Sequence, residues 1–317
     1  MRLILPGAIL LMAAATPLAG QTGQEESQAE KRTAFEDGFD LQGSDSLTAD
    51  IAAESMIPPP KWHSMLSNIP GDWVRTTSSV FSGESLPALG GVALSTGLLL
   101  LGDHATYTAS HDFIHRSVAL NSASNVIMRL GDGRTTVGIS ALFAIYGFVG
   151  NDSRALRTAS ESVEALLASG LVVQVLKHVS GRESPQAATG LRGTWRPFPA
   201  LGDYNHNQAR YYSFPSGHMT TGMATLTVIA ENYPEAQWIR PAGYGALSLL
   251  AISLVNKGWH WYSDFPLAIA TGYSFGKIAA HHESGEASTV DAGPSQVLRI
   301  LPTVTPAGPG VMLALNF

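Results

Sequence analysis

Five uncharged stretches, 85–102, 135–151, 165–176, 241–256 and 265–276, follow one another along this chain with almost no strand signal between them. A helix that is apolar on all sides has to bury itself in a large core or in lipid, so the pattern restricts the chain to an all-α architecture of one kind or the other. Only the first two stretches approach the ~18–20 apolar residues that cross a bilayer, and several carry Gly, Ser and Thr pairs. They are therefore read as buried helices of a compact helical bundle, with membrane embedding as the minority reading. At 317 residues, 45% hydrophobic and 14% charged, the chain can form one substantial core rather than two equal ones.

The flanks differ from this centre. Arg2, an apolar run from Leu3 to Ala15 and the small residues of Thr16-Pro17-Leu18-Ala19-Gly20 read as a secretory signal over 1–20, too short to favour an anchor. Residues 21–56 are rich in Gln, Glu, Ser and Asp without an apolar stripe, which predicts a disordered acidic linker. Ile57-Pro58-Pro59-Pro60 is stiff, and 61–81 is amphipathic, with Trp62, Met65, Ile69, Trp73, Val74 and Phe81 as packing residues. The helical domain is placed at 57–286. Beyond it, two apolar-rich runs flank Pro302–Gly310, which predicts a short C-terminal β-hairpin appendage within 287–317. The expected location is the periplasm or cell envelope, with a membrane surface as a possible partner.

A formal charge of −6 argues against a nucleic-acid partner, and the absence of cysteine excludes disulfides and thiolate chemistry. Any phosphate chemistry must be local. Its centre is Phe214-Pro215-Ser216-Gly217-His218, where a polar loop turns into an apolar helix. Ser216 and Gly217 would open that helix with unpaired backbone N–H groups, an anion site with a histidine beside it. Alone, the pair reads equally well as an N-cap. Upstream, Lys177 ends an apolar helix over 164–177, where it is a capping cation or an anion ligand. Downstream, His260 and Asp264 stand four apart, on one face of a helical turn; Asp264 before Phe265-Pro266 also fits an N-cap. Residues 180–215 form a long loop holding Arg182, Arg192, Arg196 and Arg210 among aromatic residues, read as a lid over the anion site. His104, His111 and His115 lack the glutamate of the zinc-protease pattern, and no metal site is assigned to them; His281-His282 is read as surface.

The order of a basic cluster, Ser-Gly-His and then His-x-x-x-Asp resembles the superfamily of type-2 phosphatidic acid phosphatases, bacterial class A acid phosphatases and vanadium-dependent haloperoxidases. The resemblance covers roughly residues 85–282. It implies a helical bundle of that type, with phosphate bound by Lys177, Ser216 and the Gly217 N–H. It further implies that His260 is the nucleophile that becomes a phosphohistidine, Asp264 its orienting carboxylate and His218 the acid for the leaving oxygen. No metal or cofactor is needed, because lysine, arginine and backbone N–H groups neutralise the charge.

Two departures stand out. The family's first-motif arginine, seven residues after its lysine, is Ser184 here, and its third-motif arginine, six before the nucleophilic histidine, is Leu254. Arg182 is the expected replacement for the first, Arg196 the second choice, and Lys257 is the nearest cation to position 254. Two uncompensated losses at about 1.5–3 kcal/mol each would cost roughly two to four decades in rate. The sequence thus predicts a phosphatase hydrolysing a small-molecule phosphomonoester or lipid-linked phosphate. A vanadate-dependent haloperoxidase and a degenerate, non-catalytic envelope binding or structural protein are the alternatives.

Overall fold

A computed structural model describes residues 60, 63–131 and 133–282, with the backbone of two strands beyond them. The predicted signal, the linker and most of the proline segment lie outside the described residues. Ten elements carry the architecture among the described residues. Helices are α1 (Ile69–Val80), α2 (Leu86–His115), α3 (Val118–Leu130), α4 (Gly133–Gly150), α5 (Ser153–Ser180), α6 (Gly217–Asn232), α7 (Ile239–Asn256) and α8 (Phe265–Ala280). Strands β1 (Leu298–Thr305) and β2 (Gly308–Leu315) pair antiparallel, Leu298 opposite Leu315. The fold class expected from the sequence, all-α with a terminal hairpin, is the one observed.

The centre is the packing of α5, α6 and α8, and small residues make it possible. A Cβ added at Gly272 would stand 2.3 Å from the Thr220 carbonyl oxygen, and one at Gly276 2.7 Å from that of Ala224. The two glycines sit one turn apart on α8, so its backbone lies directly against α6. Ala165, Ala224, Val228 and Ala279 fill one cluster there, and Ile69, Ala168 and Phe275 a second. A larger cluster of Met219, Leu250, Leu254, Val255, Phe265 and Ala268 joins α6, α7 and α8.

The bundle does not bury its most apolar helices, which corrects the expectation drawn from their composition. None of the apolar window of the segment Gly83–His115 is buried, and half of that in Ser153–Ser180 is. Leu94, Leu98 and Leu101 on α2 and Leu142, Ile145, Phe148 and Val149 on α4 are all exposed. The interior of α5, by contrast, holds Thr158, Ser160, Ser162, Glu164 and Ser169. Large apolar side chains thus face outward while small and polar ones face inward. The lead-in also packs less than expected: Ile69 is buried, whereas Val74 and Phe81 are exposed. Trp73 is anchored by its indole, which donates to the Ala168 carbonyl at 3.1 Å.

Candidate active site

Three chain turns bring the sequence motifs together. Helix α5 ends because Gly181 adopts a left-handed conformation at φ 52°, its N–H donating to the Lys177 carbonyl at 2.8 Å. A side chain at 181 would also collide with the Arg196 carbonyl, so only glycine fits. The segment that follows is a folded unit. Arg182 bridges Trp195 on one side and Tyr212 on the other, and Ser184 N–H reaches the Ala209 carbonyl at 2.8 Å. Helix α6 begins where Ser216 takes an extended conformation and its hydroxyl accepts the Met219 N–H at 3.5 Å. After α7, Gly258 turns the chain at φ 70°, and a 3₁₀ turn over Tyr262–Asp264 leads into α8.

These turns place Lys177, Ser216, Gly217, His218, His260 and Asp264 at one end of α5, α6 and α8. The rings of His218 and His260 lie 6.1 Å apart, centroid to centroid, within reach of one phosphate group. Lys177 is buried, and a Cβ at Gly217 would lie 3.7 Å from its Cε. Its ammonium donates to the Tyr212 carbonyl, which uses one of its three donors. Of the two backbone N–H groups expected to greet an anion, that of Ser216 is engaged instead, donating to the Asp264 carbonyl at 3.1 Å. The first-turn N–H groups of α6 begin at Gly217, where helix geometry supplies no intrahelical acceptor.

His260 is buried, with Nδ1 2.8 Å from the Ser213 carbonyl and 3.4 Å from Asp264 Oδ2. A carbonyl only accepts, so Nδ1 carries the proton and the neutral ring keeps its lone pair on Nε2. Burial lowers the pKa of His260 below its ordinary value, and nearby Lys177 adds to this; Asp264 and the Ser213 carbonyl oppose it without reversing it. Asp264 is not a side-chain cap for α8. Its Oδ2 accepts from the Ser213 hydroxyl at 2.6 Å and from the Trp261 N–H at 2.8 Å, and Arg182 donates to its Oδ1. Burial alone would raise its pKa, but Arg182, His260 and Ser213 together hold it below the usual carboxylate value. It is therefore ionised.

The expected arginine replacements are directed elsewhere. Arg182 is fully buried, and NH1 and NH2 are spent on Ser263 Oγ at 2.7 Å, Asp264, Asp103 Oδ2 at 2.7 Å and the Arg192 carbonyl at 2.8 Å. The rings of Trp195 and Trp261 lie 4.9 and 5.5 Å from its guanidinium carbon. Arg182 thus braces Asp264 from behind, while its Nε is buried without a hydrogen-bond partner. Arg196 pairs with the buried Glu183, and Lys257 donates to Asn121 on α3 at 2.7 Å. Neither supplies the missing cation through these contacts. Leu254, at one missing arginine, sits in the apolar cluster beside Met219 and Phe265; Ser184, at the other, is buried with its hydroxyl unpartnered.

Sequence reasoning missed Asp103 on α2, which binds Arg182 and also accepts from the Ser263 N–H at 3.2 Å. Its only signal was an acid ending a long apolar run. His111 and His115 stack at 3.9 Å, with His115 Nδ1 2.9 Å from the His111 carbonyl, and they take no part in the site.

Among solved structures, the chain is similar to that described as the first transmembrane PAP2 type phosphatidylglycerolphosphate phosphatase from Bacillus subtilis. The TM-score is 0.41 at 18% identity, over 70% of this chain and 95% of that one. No curated protein matches the chain. The family model of the PAP2 superfamily matches residues 159–284, the segment that holds Lys177, Ser216, His218, His260 and Asp264. Over that segment the chain is similar to the PAP2 superfamily.

Proposed function

We propose that this domain is a phosphatase that hydrolyses a lipid-linked phosphate through a phosphohistidine on His260. The observation that carries the reading is the facing pair of histidines, one of them fixed through Nδ1 by Ser213 and backed by the ionised Asp264. Nε2 of His260 attacks phosphorus, and the bond to the ester oxygen breaks as His218 gives that oxygen its proton. His218 then takes a proton from water, whose oxygen attacks the phosphohistidine and releases phosphate. Lys177 and the N-terminus of α6 bind the phosphate oxygens through both steps.

An apolar cavity of about 740 Å³ between α2, α6, α7 and α8 favours a lipid over a soluble ester. Met219 and Phe265, two of its lining residues, each follow a proposed catalytic residue directly in the chain, and the Phe265 ring lies 6.1 Å from that of His260. The outward-facing apolar side chains of α2 and α4 support insertion in an envelope membrane, which puts the active site, at one end of α5, α6 and α8, at the membrane face.

The test pairs two variants with two ester types, an aryl phosphate and a lipid phosphate in detergent. His260→Ala is expected to abolish turnover of both. His218→Ala is expected to lose roughly two to four decades on the lipid ester and less on the aryl ester, whose leaving group needs no acid. An acid-labile phosphoenzyme surviving in His260→Ala would assign the nucleophile elsewhere. Absence of any vanadate-sensitive hydrolysis by the unaltered protein would favour the non-catalytic reading, which Ser184 and Leu254 suggest.

A further inference from the structure

Asp72 on α1, Glu164 on α5 and His282, just past α8, bring one ligating atom each to within 4.8 Å of one another. We propose that they bind a divalent transition-metal ion of the Zn²⁺ or Mn²⁺ kind, which staples α1 and the end of α8 to the middle of α5. Both carboxylates are buried, Asp72 at 1% and Glu164 at 2% exposure, and taking two such groups out of water is costly without a cation held between them. The cationic groups at hand are the His282 ring and Arg75, an exposed side chain whose guanidinium nitrogen stands 2.9 Å from the ring's Nδ1 and 3.0 Å from its Nε2.

Glu164 provides the observation that points to a ligand. Its Oε2 accepts from Asn68 Nδ2 at 3.1 Å, which fixes the carboxylate's orientation. Its Oε1 is buried with no hydrogen-bond partner and faces His282 Nε2 at 3.4 Å. The same Nε2 contacts Asp72 Oδ1. One imidazole nitrogen and two carboxylate oxygens from three separate chain segments therefore converge on one point. A mixed set of this kind suits Zn²⁺ or Mn²⁺ better than Ca²⁺ or Mg²⁺, which favour oxygen ligands throughout. On binding, Nε2 gives its lone pair to the ion and Nδ1 carries the proton, so Arg75 swings from the ring edge into solvent.

Glu164 precedes Lys177 by thirteen residues, about 20 Å along a helix. The ion would act on the stability of the bundle and not on the phosphate. The competing account is a single proton shared between the two carboxylates.

The experiment strips the full-length protein in detergent with a chelator and titrates it with Zn²⁺ and, separately, Mn²⁺. Bound metal is read by mass spectrometry and unfolding by a thermal melt. The expected result is one equivalent retained and a rise in Tm of several degrees for the unaltered protein and for His281→Ala. Both readouts should be lost in Asp72→Asn and Glu164→Gln. The proposal is overturned if the unaltered protein retains no ion and its Tm does not move, while Glu164→Gln, which mimics the protonated acid, is at least as stable. It is equally overturned if the variants bind metal as the unaltered protein does.

Discussion

Nδ1 of His260 is held by Ser213 and Asp264, and burial keeps the ring neutral at pH values where an exposed histidine would begin to protonate. If the neutral ring attacks phosphorus, the acid limb of kcat/KM should rise with pH through a midpoint below the ordinary 6.5, ahead of the fall that the need for a protonated leaving-group acid imposes at higher pH. Asp264 raises that pKa, so Asp264→Asn should move the midpoint lower still while kcat falls by roughly two to four decades as the ring loses its orientation. A pH–rate profile of both proteins checks this, and an unmoved midpoint would detach Asp264 from the chemistry. His218, His260, Asp264, Lys177 and Ser216 were all legible from their motifs. What could not be read was which arginine faces the site. Arg182 meets one carboxylate 79 residues upstream and another 82 residues downstream, and no local spacing encodes either pairing.

At the scale of elements, the long loop is a packed unit, held from within by Glu183. Burial alone would raise the pKa of that carboxyl, but the Thr189 and Thr194 backbone N–H groups, with Arg196 and the Thr189 hydroxyl, bring it down to about 2. A depressed carboxyl stabilises the fold above its unfolded value of 4.5, and that contribution is lost as pH falls from 4.5 towards 2. Glu183→Gln should therefore flatten the acid limb of the Tm–pH curve and cost about 1–3 kcal/mol at neutral pH. A variant whose Tm still falls as steeply would assign acid lability elsewhere. Helix α2 is tied to the site by Asp103. Removing one member of a buried pair costs about 3–5 kcal/mol, so Asp103→Asn should lower Tm strongly and kcat with it, with KM little changed. Wild-type values of Tm and kcat would show that α2 does not brace Asp264. Five of the eight helices, α2, α4, α5, α7 and α8, were readable from their uncharged runs, although α2 continues to His115, well past the apolar stretch. Their burial was not, because a helix apolar on every side has the same sequence in a core as in lipid.

Among the described residues, an interior richer in alanine, serine and threonine than in large apolar side chains, under an outer layer of leucine, valine and phenylalanine, departs from the arrangement of a water-soluble bundle. The protein should accordingly remain in the membrane pellet after alkaline carbonate washing and enter solution only with detergent. Release by carbonate alone would mean that α2 does not cross a bilayer. The commitment of Arg182 to Asp103 and Asp264, with Leu254 and Ser184 where the family carries guanidinium groups, leaves Lys177, the start of α6 and the proton-donating ring of His218 to balance the ligand's charge. A phosphate monoester is a dianion above its second ionisation near about pH 6 and a monoanion below it. One ammonium neutralises one charge. If His218 enters as the proton donor proposed above, its ring brings a second positive charge, so Lys177 and His218 together balance the dianion, and one of those charges disappears in the same step in which the ester oxygen leaves.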